Sequence, residues 1–393
     1  MAGSLFSKKE KIEEGFPDTL SDFGYAFDKD GKLKNKETGK PFQFVVREGD
    51  HSYNQRHYEA LGEVVTEEVY KLLETECKLK RAPVPHDASK DEPSTFVFIS
   101  EDALVNTEKL LVLIHGSGVV RAGQWARRLI MNDSLDSGTQ IPFIKRAQKE
   151  GYGILVTNTN DNYRIDKKKC RVKIRGSENP ERHTMYVWEH YTNVAKAKNI
   201  AIIAHSYGGC VTNALYLNKK EEFLKRVFAV AMTDSVHFIH SPNAFKELVK
   251  ISCNWVCSRH PLDTPVDTQS GDIKRVSAGV TVHEETSWAS MSSIFKFLQA
   301  RLKATTKPDE GAGDTRAEPS AQCSPGKGQN PVGSAGGHGR EDEDDATTPG
   351  NGKRKDDNLG GGYGSHDMSE EEEDGDVDGK EGDKKKQKMN ASK

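Results

Sequence analysis

Residues 199–209 read NIAIIAHSYGG. Ile200 through Ala204 form an apolar run with the length of a buried strand rather than of a helix. The run stops at His205-Ser206-Tyr207-Gly208-Gly209, and a helical pattern resumes in Val211, Leu215 and Leu217. A strand, a sharp turn carrying serine and a helix are the parts of a nucleophile elbow. That turn is strained and crowded, so it wants small residues on both sides of the serine. Here the pattern is Ala204-His205-Ser206-Tyr207-Gly208, with alanine in place of the usual first glycine.

On either side of this stretch, apolar strand patterns alternate with helical ones. Leu110–Ile114 is an apolar strand that ends in His115-Gly116-Ser117-Gly118. Phe96–Ile99, Gly153–Thr157, Val227–Met232, Asn254–Cys257 and Arg275–Val280 read as further strands. Helices are predicted around Trp125–Ile130, over Phe143–Lys149, Met185–Lys198 and Phe245–Ile251, and from about Ser287 to Leu302. Nearer the start, Tyr58, Leu61, Val64, Val65, Val69, Leu72 and Leu73 recur at helical spacing, which gives an amphipathic helix ending near Cys77. Lys32–Lys36 and Pro41–Val46 are expected to pair as a hairpin. Repeated strand–helix alternation with apolar strands predicts an α/β domain: a mostly parallel sheet covered by helices on both faces. Its expected bounds are residues 16–302, after a frayed segment 1–15.

Beyond Leu302 the composition changes to Gly, Pro, Ser, Asp, Glu and Lys, with acidic runs at 341–345 and 370–374 and basic clusters at 353–355 and 384–388. Such a segment buries too little apolar surface to offset the entropy of ordering, so residues 303–393 are expected to form a disordered charged tail. Basic clusters of this kind suit nuclear import or nucleic-acid contact. The tail also accounts for a chain that is 30% charged and 34% hydrophobic with a net charge of only −3. Near-neutral balance selects no partner class. Cysteines 77, 170, 210, 253, 257 and 323 form no C-x-x-C pair, so no metal and no cofactor is expected, and reduced thiols of an intracellular protein fit best. No apolar run approaches the length that spans a bilayer, and no membrane role is expected.

Ligands of such sheets sit beyond the carboxyl ends of the strands. There, Ser206 is the candidate nucleophile. The loop Gly116-Ser117-Gly118 and the residue after the serine, Tyr207, are candidates for the oxyanion hole, because backbone amides free of side-chain crowding are what a developing oxyanion needs. A serine nucleophile needs a base, and the base an orienting acid, in the chain order Ser, acid, His. His283, after the last strand and before the last helix, is the candidate base; His237 and His240 are weaker alternatives, and His205 reads as structural. Asp263 is the preferred acid, with Asp234 as the alternative. Beside the glycine loop, Arg121 and Trp125 are candidate contacts for a substrate or an acidic partner, and Arg127 and Arg128 are further cations of the same stretch.

Longer stretches carry a resemblance. Phe16–Leu20, Leu113–Leu129, Asp136–Ala147, Ala204–Gly209, Thr233–His237, Arg275–His283 and Ser287-Trp288 resemble the cotranscriptional-regulator family that carries the argonaute-binding-protein-two domain. The likeness covers roughly residues 16–300. It implies an α/β-hydrolase-like domain with Ser206 in the nucleophile position. It also implies a role in alternative splicing and mRNA processing in the nucleus, with some cytoplasmic presence, through contacts with an Argonaute protein and a chromatin remodeller and indirectly with small RNA. The residues themselves point to the other reading, a serine hydrolase of the esterase or thioesterase type using Ser206, Asp263 and His283.

Overall fold

The computed structural model describes residues 15–305. Apart from Gly15 and residues 303–305, the expected frayed segment and charged tail lie outside the described residues. Two short strands, β1 (Tyr25–Phe27) and β2 (Leu33–Asn35), precede the long helix α1 (His51–Thr75). Strands β3 (Leu79–Val84), β4 (Thr95–Ser100) and β5 (Lys109–Ile114) follow, then helices α2 (Arg127–Asn132), α3 (Leu135–Gly138) and α4 (Ile141–Lys149), and strand β6 (Gly153–Val156). Strands β7 (Tyr163–Ile165) and β8 (Arg171–Lys173) lead to helix α5 (Pro180–Val187), which runs on into a π-helical turn at Trp188–Thr192. Next come β9 (Asn199–His205), α6 (Tyr207–Asn218), α7 (Lys220–Arg226), β10 (Val227–Thr233), α8 (Pro242–Lys250) and β11 (Ser252–Val256). The domain closes with β12 (Pro265–Val266), β13 (Arg275–Ser277), a 3₁₀ turn at His283–Glu285, and α9 (Thr286–Thr305).

The main sheet has nine strands in the order β12-β13-β11-β10-β9-β5-β6-β4-β3. Its interior, β13-β11-β10-β9-β5-β6, is parallel throughout, and antiparallel strands occur only toward the two edges. The apolar run of β9 sits between β10 and β5 and is fully buried. Its side chains divide by the two-residue period of a strand. Ala201 and Ile203 join a core with Leu61, Val65, Phe143, Ile294 and Phe295, beneath α1, α4 and α9. Ile200, Ile202 and Ala204 join a second core with Trp188, Val211, Leu215, Phe223 and Leu248, beneath α5 to α8. Each layer exists because the strands have no polar face to leave in water. Truncating Ile203 to alanine would cost about 2–5 kcal/mol.

The expected α/β architecture is what the chain adopts, with local differences, among them these. The N-terminal hairpin pairs Tyr25–Phe27 with Leu33–Asn35, not Lys32–Lys36 with Pro41–Val46. The turn decides this: Asp28 Oδ1 accepts the amides of Asp30 and Lys32, at 2.9 and 3.0 Å, while Pro41, which has no N–H, forms only an isolated bridge with Lys34. The helix expected over Met185–Lys198 begins earlier, at Pro180 capped by Asn179, and its π turn ends at Thr192. The last helix reaches Thr305, three residues into the expected tail.

Candidate active site

Three central strands of the parallel sheet, β5, β9 and β10, bring their carboxyl ends together. Strand β9 ends at His205, and Ser206 follows with φ 52° and ψ −121°, a conformation that side-chain-bearing residues rarely adopt. Strain of this kind costs about 1–3 kcal/mol and survives only where the surroundings over-determine it. Here the Ser206 amide donates to the Thr233 carbonyl at 3.0 Å, and α6 begins at the next residue. The glycine of the elbow is needed for space: a Cβ on Gly208 would stand 2.8 Å from the Ile114 carbonyl oxygen and 2.9 Å from that of His115. Alanine suffices at 204 because its methyl group joins the second core.

Strand β5 ends in the glycine loop. A Cβ at Gly116 would meet Ser206 Cβ at 3.0 Å, so this loop passes directly over the serine. Among the described residues the amides of Ser117, Gly118 and Tyr207 donate to no protein acceptor. Gly118 takes φ +89°, and the loop is held from outside by a residue that sequence reasoning missed. Asn160 Nδ2 donates to the carbonyls of Gly116, Gly118 and Val120, at 3.0, 3.0 and 3.1 Å. Its signal was a polar run, Thr157 to Asn162, at the carboxyl end of a predicted strand. Carbonyls anchored on one side leave the loop's amides to face elsewhere, which is the organisation an anion site requires.

Strand β10 ends at Thr233, and Asp234 follows with φ +43°. His283 Nδ1 lies 2.7 Å from Asp234 Oδ2, while Asp234 Oδ1 accepts the Cys257 amide at 3.1 Å. Burial pushes the Asp234 carboxyl up, but the hydrogen bonds from His283 and Cys257 outweigh it and bring it down to about 2. An ionised carboxylate only accepts, so the proton of a neutral His283 sits on Nδ1 and Nε2 keeps its lone pair. Of the two candidate acids, then, Asp234 orients His283. Asp263 is occupied elsewhere: its two oxygens accept Trp255 Nε1 at 2.8 Å and Ser293 Oγ at 2.6 Å, which ties the loop between β11 and β12 to β11 and α9. Asp234 directly follows β10, whereas Asp263 lies in the loop between β11 and β12.

His205 is structural, as its sequence context suggests. Burial drives its pKa down to about 3, and Nδ1 lies 3.0 Å from the carbonyl oxygen of Thr233 and from its hydroxyl. Its ring stands 4.7 Å from that of His283, so a neutral His205 spares His283 a second positive charge. His115 is likewise buried and held low, at about 4, beneath the glycine loop. Ser206 Oγ and His283 Nε2 make no hydrogen bond among the described residues, while the Tyr207 hydroxyl donates to Glu181 at 2.5 Å.

The arginine stretch departs from expectation. Trp125 is 2% exposed and packs edge-on against Phe143 and His205, so its ring faces the core and not the surface expected for a contact residue. A long aromatic side chain beside a tight loop gains more from the core than from solvent. Arg127 is buried too and reaches Glu63 at 2.8 Å. Arg128 is exposed and pairs with Glu284, next to His283, at 3.2 Å. Arg121 is half-buried at the loop, its guanidinium donating to the Val120 carbonyl at 3.2 Å. The His237 side chain is buried against half-buried Ser235 and Asp272, and with them and His240 lines a cleft of roughly 430 Å³. No three His, Cys, Asp or Glu side chains among the described residues are placed to hold a metal ion.

Comparison with known proteins shows the chain's kinship. A profile of the Arb2 domain matches residues 16–262. The human cotranscriptional regulator ARB2A is 45% identical over 350 residues, covering 76% of this chain and 84% of that protein. The Caenorhabditis elegans FAM172 family protein homolog Y75B8A.31 is 37% identical over 290 residues, covering 72% of this chain and 88% of that protein. Among solved structures, the histone deacetylase Clr3 superposes with a TM-score of 0.42 at 16% identity, over 68% of this chain and 42% of that one. The 2-hydroxy-6-oxo-6-phenylhexa-2,4-dienoate hydrolase of Rhodococcus sp. strain RHA1 superposes with a TM-score of 0.24 at 12% identity, over 59% of this chain and 67% of that one. Scores this low carry no argument about the site. The sequence relationships do settle kinship: the chain belongs to the Arb2 domain family.

Proposed function

We propose that this protein is a nuclear cotranscriptional regulator that couples chromatin to alternative splicing by binding an Argonaute protein and a chromatin remodeller, with small RNA held through the Argonaute partner. The single observation that supports this is the 45% identity to human cotranscriptional regulator ARB2A over 76% of the chain. The test is affinity capture of the full chain from nuclear extract. Argonaute and a remodeller should co-precipitate, and Ser206→Ala should leave both in place. Their absence from the captured material would end this reading.

A second reading rests on the geometry of the elbow: the domain is also a serine hydrolase for esters or thioesters. It is favoured by the strained Ser206 backbone together with the 2.7 Å contact between Asp234 and His283. In this scheme Ser206 Oγ attacks the acyl carbon while His283 Nε2 takes its proton. Amides of Ser117, Gly118 and Tyr207 receive the oxyanion. His283 then returns the proton to the leaving alcohol or thiol, and water releases the acyl group by the same steps. Asp234, with its pKa near 2, stays ionised and stabilises the imidazolium. The Oγ–Nε2 hydrogen bond forms as substrate closes the site, a tightening common to such pairs. A fluorophosphonate probe should label the wild-type chain and not Ser206→Ala; an unlabelled wild type removes the enzymatic reading and leaves the regulatory one intact.

A further inference from the structure

Strands β7 and β8 form a two-stranded sheet of their own, apart from the main one. Their register sets Tyr163 opposite Lys173 and Ile165 opposite Arg171. Alternation therefore sends Tyr163, Ile165, Arg171 and Lys173 to one face, and all four are exposed, while Arg164 and Val172 turn to the half-buried face. The inward Arg164 is neutralised by Asp161. Between the strands, Asp166 and Cys170 close a three-residue turn of lysines, and the Asp166 carboxylate accepts the amides of Lys168 and Cys170 at 2.8 Å each. Lys169 occupies the left-handed position of that turn, φ 61°, where glycine is usual.

Charge on this ribbon is lopsided. Residues 163–173 hold six Lys or Arg (164, 167, 168, 169, 171, 173) against one Asp (166), a net +5 in a chain whose total is −3. Lys167, Lys168, Lys169, Arg171 and Lys173 make no ion pair among the described residues, in contrast to Arg164 and to Arg175, which binds Asp87 and Glu92. A merely solvated ribbon would carry polar residues between its cations. This one carries Ile165 at 58% and Tyr163 at 41% exposure, with the Arg171 guanidinium 4.4 Å from the Tyr163 ring centroid.

We propose that this face of the β7–β8 ribbon binds single-stranded nucleic acid. Unpaired cations track phosphates, and a planar aromatic–guanidinium pair beside an aliphatic side chain gives unstacked bases a surface of any sequence. Tyr163 and Ile165 carry bases; Arg171, Lys173 and the lysine turn take phosphates. An acidic peptide would satisfy the cations and leave the stacking platform unused, and a duplex keeps its base faces hidden.

The experiment is fluorescence anisotropy of the full chain with labelled oligouridylate and oligodeoxythymidylate of about 12 nucleotides across a salt series. Lys168→Glu combined with Lys173→Glu should weaken binding by about tenfold or more and flatten the salt dependence, by roughly 0.7 in log–log slope for every phosphate that is no longer neutralised. Tyr163→Ala should weaken binding about fivefold or more with the salt slope unchanged, since stacking releases no counterions. These side chains are exposed, so the melting temperature should not move. Comparing the two oligonucleotides identifies RNA or DNA as the natural strand. Affinity unchanged in both variants would overturn the proposal and move binding to the lysine clusters beyond residue 305. So would no binding by the wild type, tighter binding to the matching duplex, or capture of oligoglutamate in place of either strand.

Discussion

Among the described residues, two imidazoles are hydrogen-bonded to carboxylates, and each has a serine near it. His283 faces Asp234 through Nδ1, with 40% of its side chain exposed and Ser206 at the neighbouring strand end. His237 faces Asp272 through Nε2 at 3.2 Å and Ser235 Oγ through Nδ1 at 2.7 Å, with only 3% of its side chain exposed. On connectivity alone the second group is the better relay, because its serine is already hydrogen-bonded to its histidine. Yet Ser235 has ordinary backbone angles, and its hydroxyl is wedged where a Cβ on Gly209 would come within 1.7 Å. The first group leaves Nε2 open, stores strain at the serine and sets free amides beside it. What marks a reactive serine is therefore not the number of its partners but an unfinished set of hydrogen bonds that a substrate can complete.

The sharpest way to break this comparison is to ask which serine reacts. Ser206→Ala should abolish fluorophosphonate labelling, and the adduct in the wild type should map to the peptide containing Ser206. Ser235→Ala should label at the wild-type rate while losing about 1 kcal/mol of stability from its hydrogen bond. An adduct on Ser235 would reverse the reading of both groups.

Next in size is the acid. Asp234→Asn should slow labelling by about 10⁴-fold, as expected when the orienting carboxylate is replaced and the imidazole tautomer is lost. Asp263→Asn should leave the rate alone and lower the unfolding free energy by about 1–3 kcal/mol through its hydrogen bonds with Trp255 and Ser293. The opposite pattern would restore Asp263 as the acid. Asn160→Ala comes third: freeing the carbonyls of Gly116, Gly118 and Val120 should cost roughly 10²-fold in labelling rate through misplaced amides, with the melting temperature as the control for global damage.

The last comparison separates exposed from buried imidazoles by pH. His115, His183 and His205 have folded pKa values lowered to about 4, 3 and 3 by burial, and that of His237 is lowered as well. A histidine neutral in the fold and charged when unfolded binds more protons in the unfolded state once pH drops below about 6.5. Stability is therefore present above pH 6.5 and is lost as pH falls toward the folded values, by about 1 kcal/mol per pH unit for each such group. Urea midpoints measured from pH 7 to 5 should fall accordingly, and His237→Asn should make the fall shallower. Asp234 adds its own loss lower down: with its pKa depressed from 3.8 to about 2, its contribution is present above pH 3.8 and disappears as pH falls through 2.

Residue order alone made the sheet legible. Runs such as Ile200–Ala204 have no polar face, so they read as strands buried on both sides, and the helical patterns between them imply parallel crossovers with a serine, a glycine loop and Asp234 at the strand ends. Both features are local, so they survive in one dimension. The choice between Asp234 and Asp263 did not, because it turns on which carboxylate Trp255 and Ser293 engage, across contacts made by distant segments. Trp125 failed for a similar reason: exposure is a property of what packs on top, and α4 and His205 cover it. Asn160 reaches a loop some forty residues earlier in the chain, and the outward face of the basic ribbon depends on a strand register that spacing does not fix. Local pattern sets what each segment can become; long-range packing selects which of several chemically equivalent side chains meet.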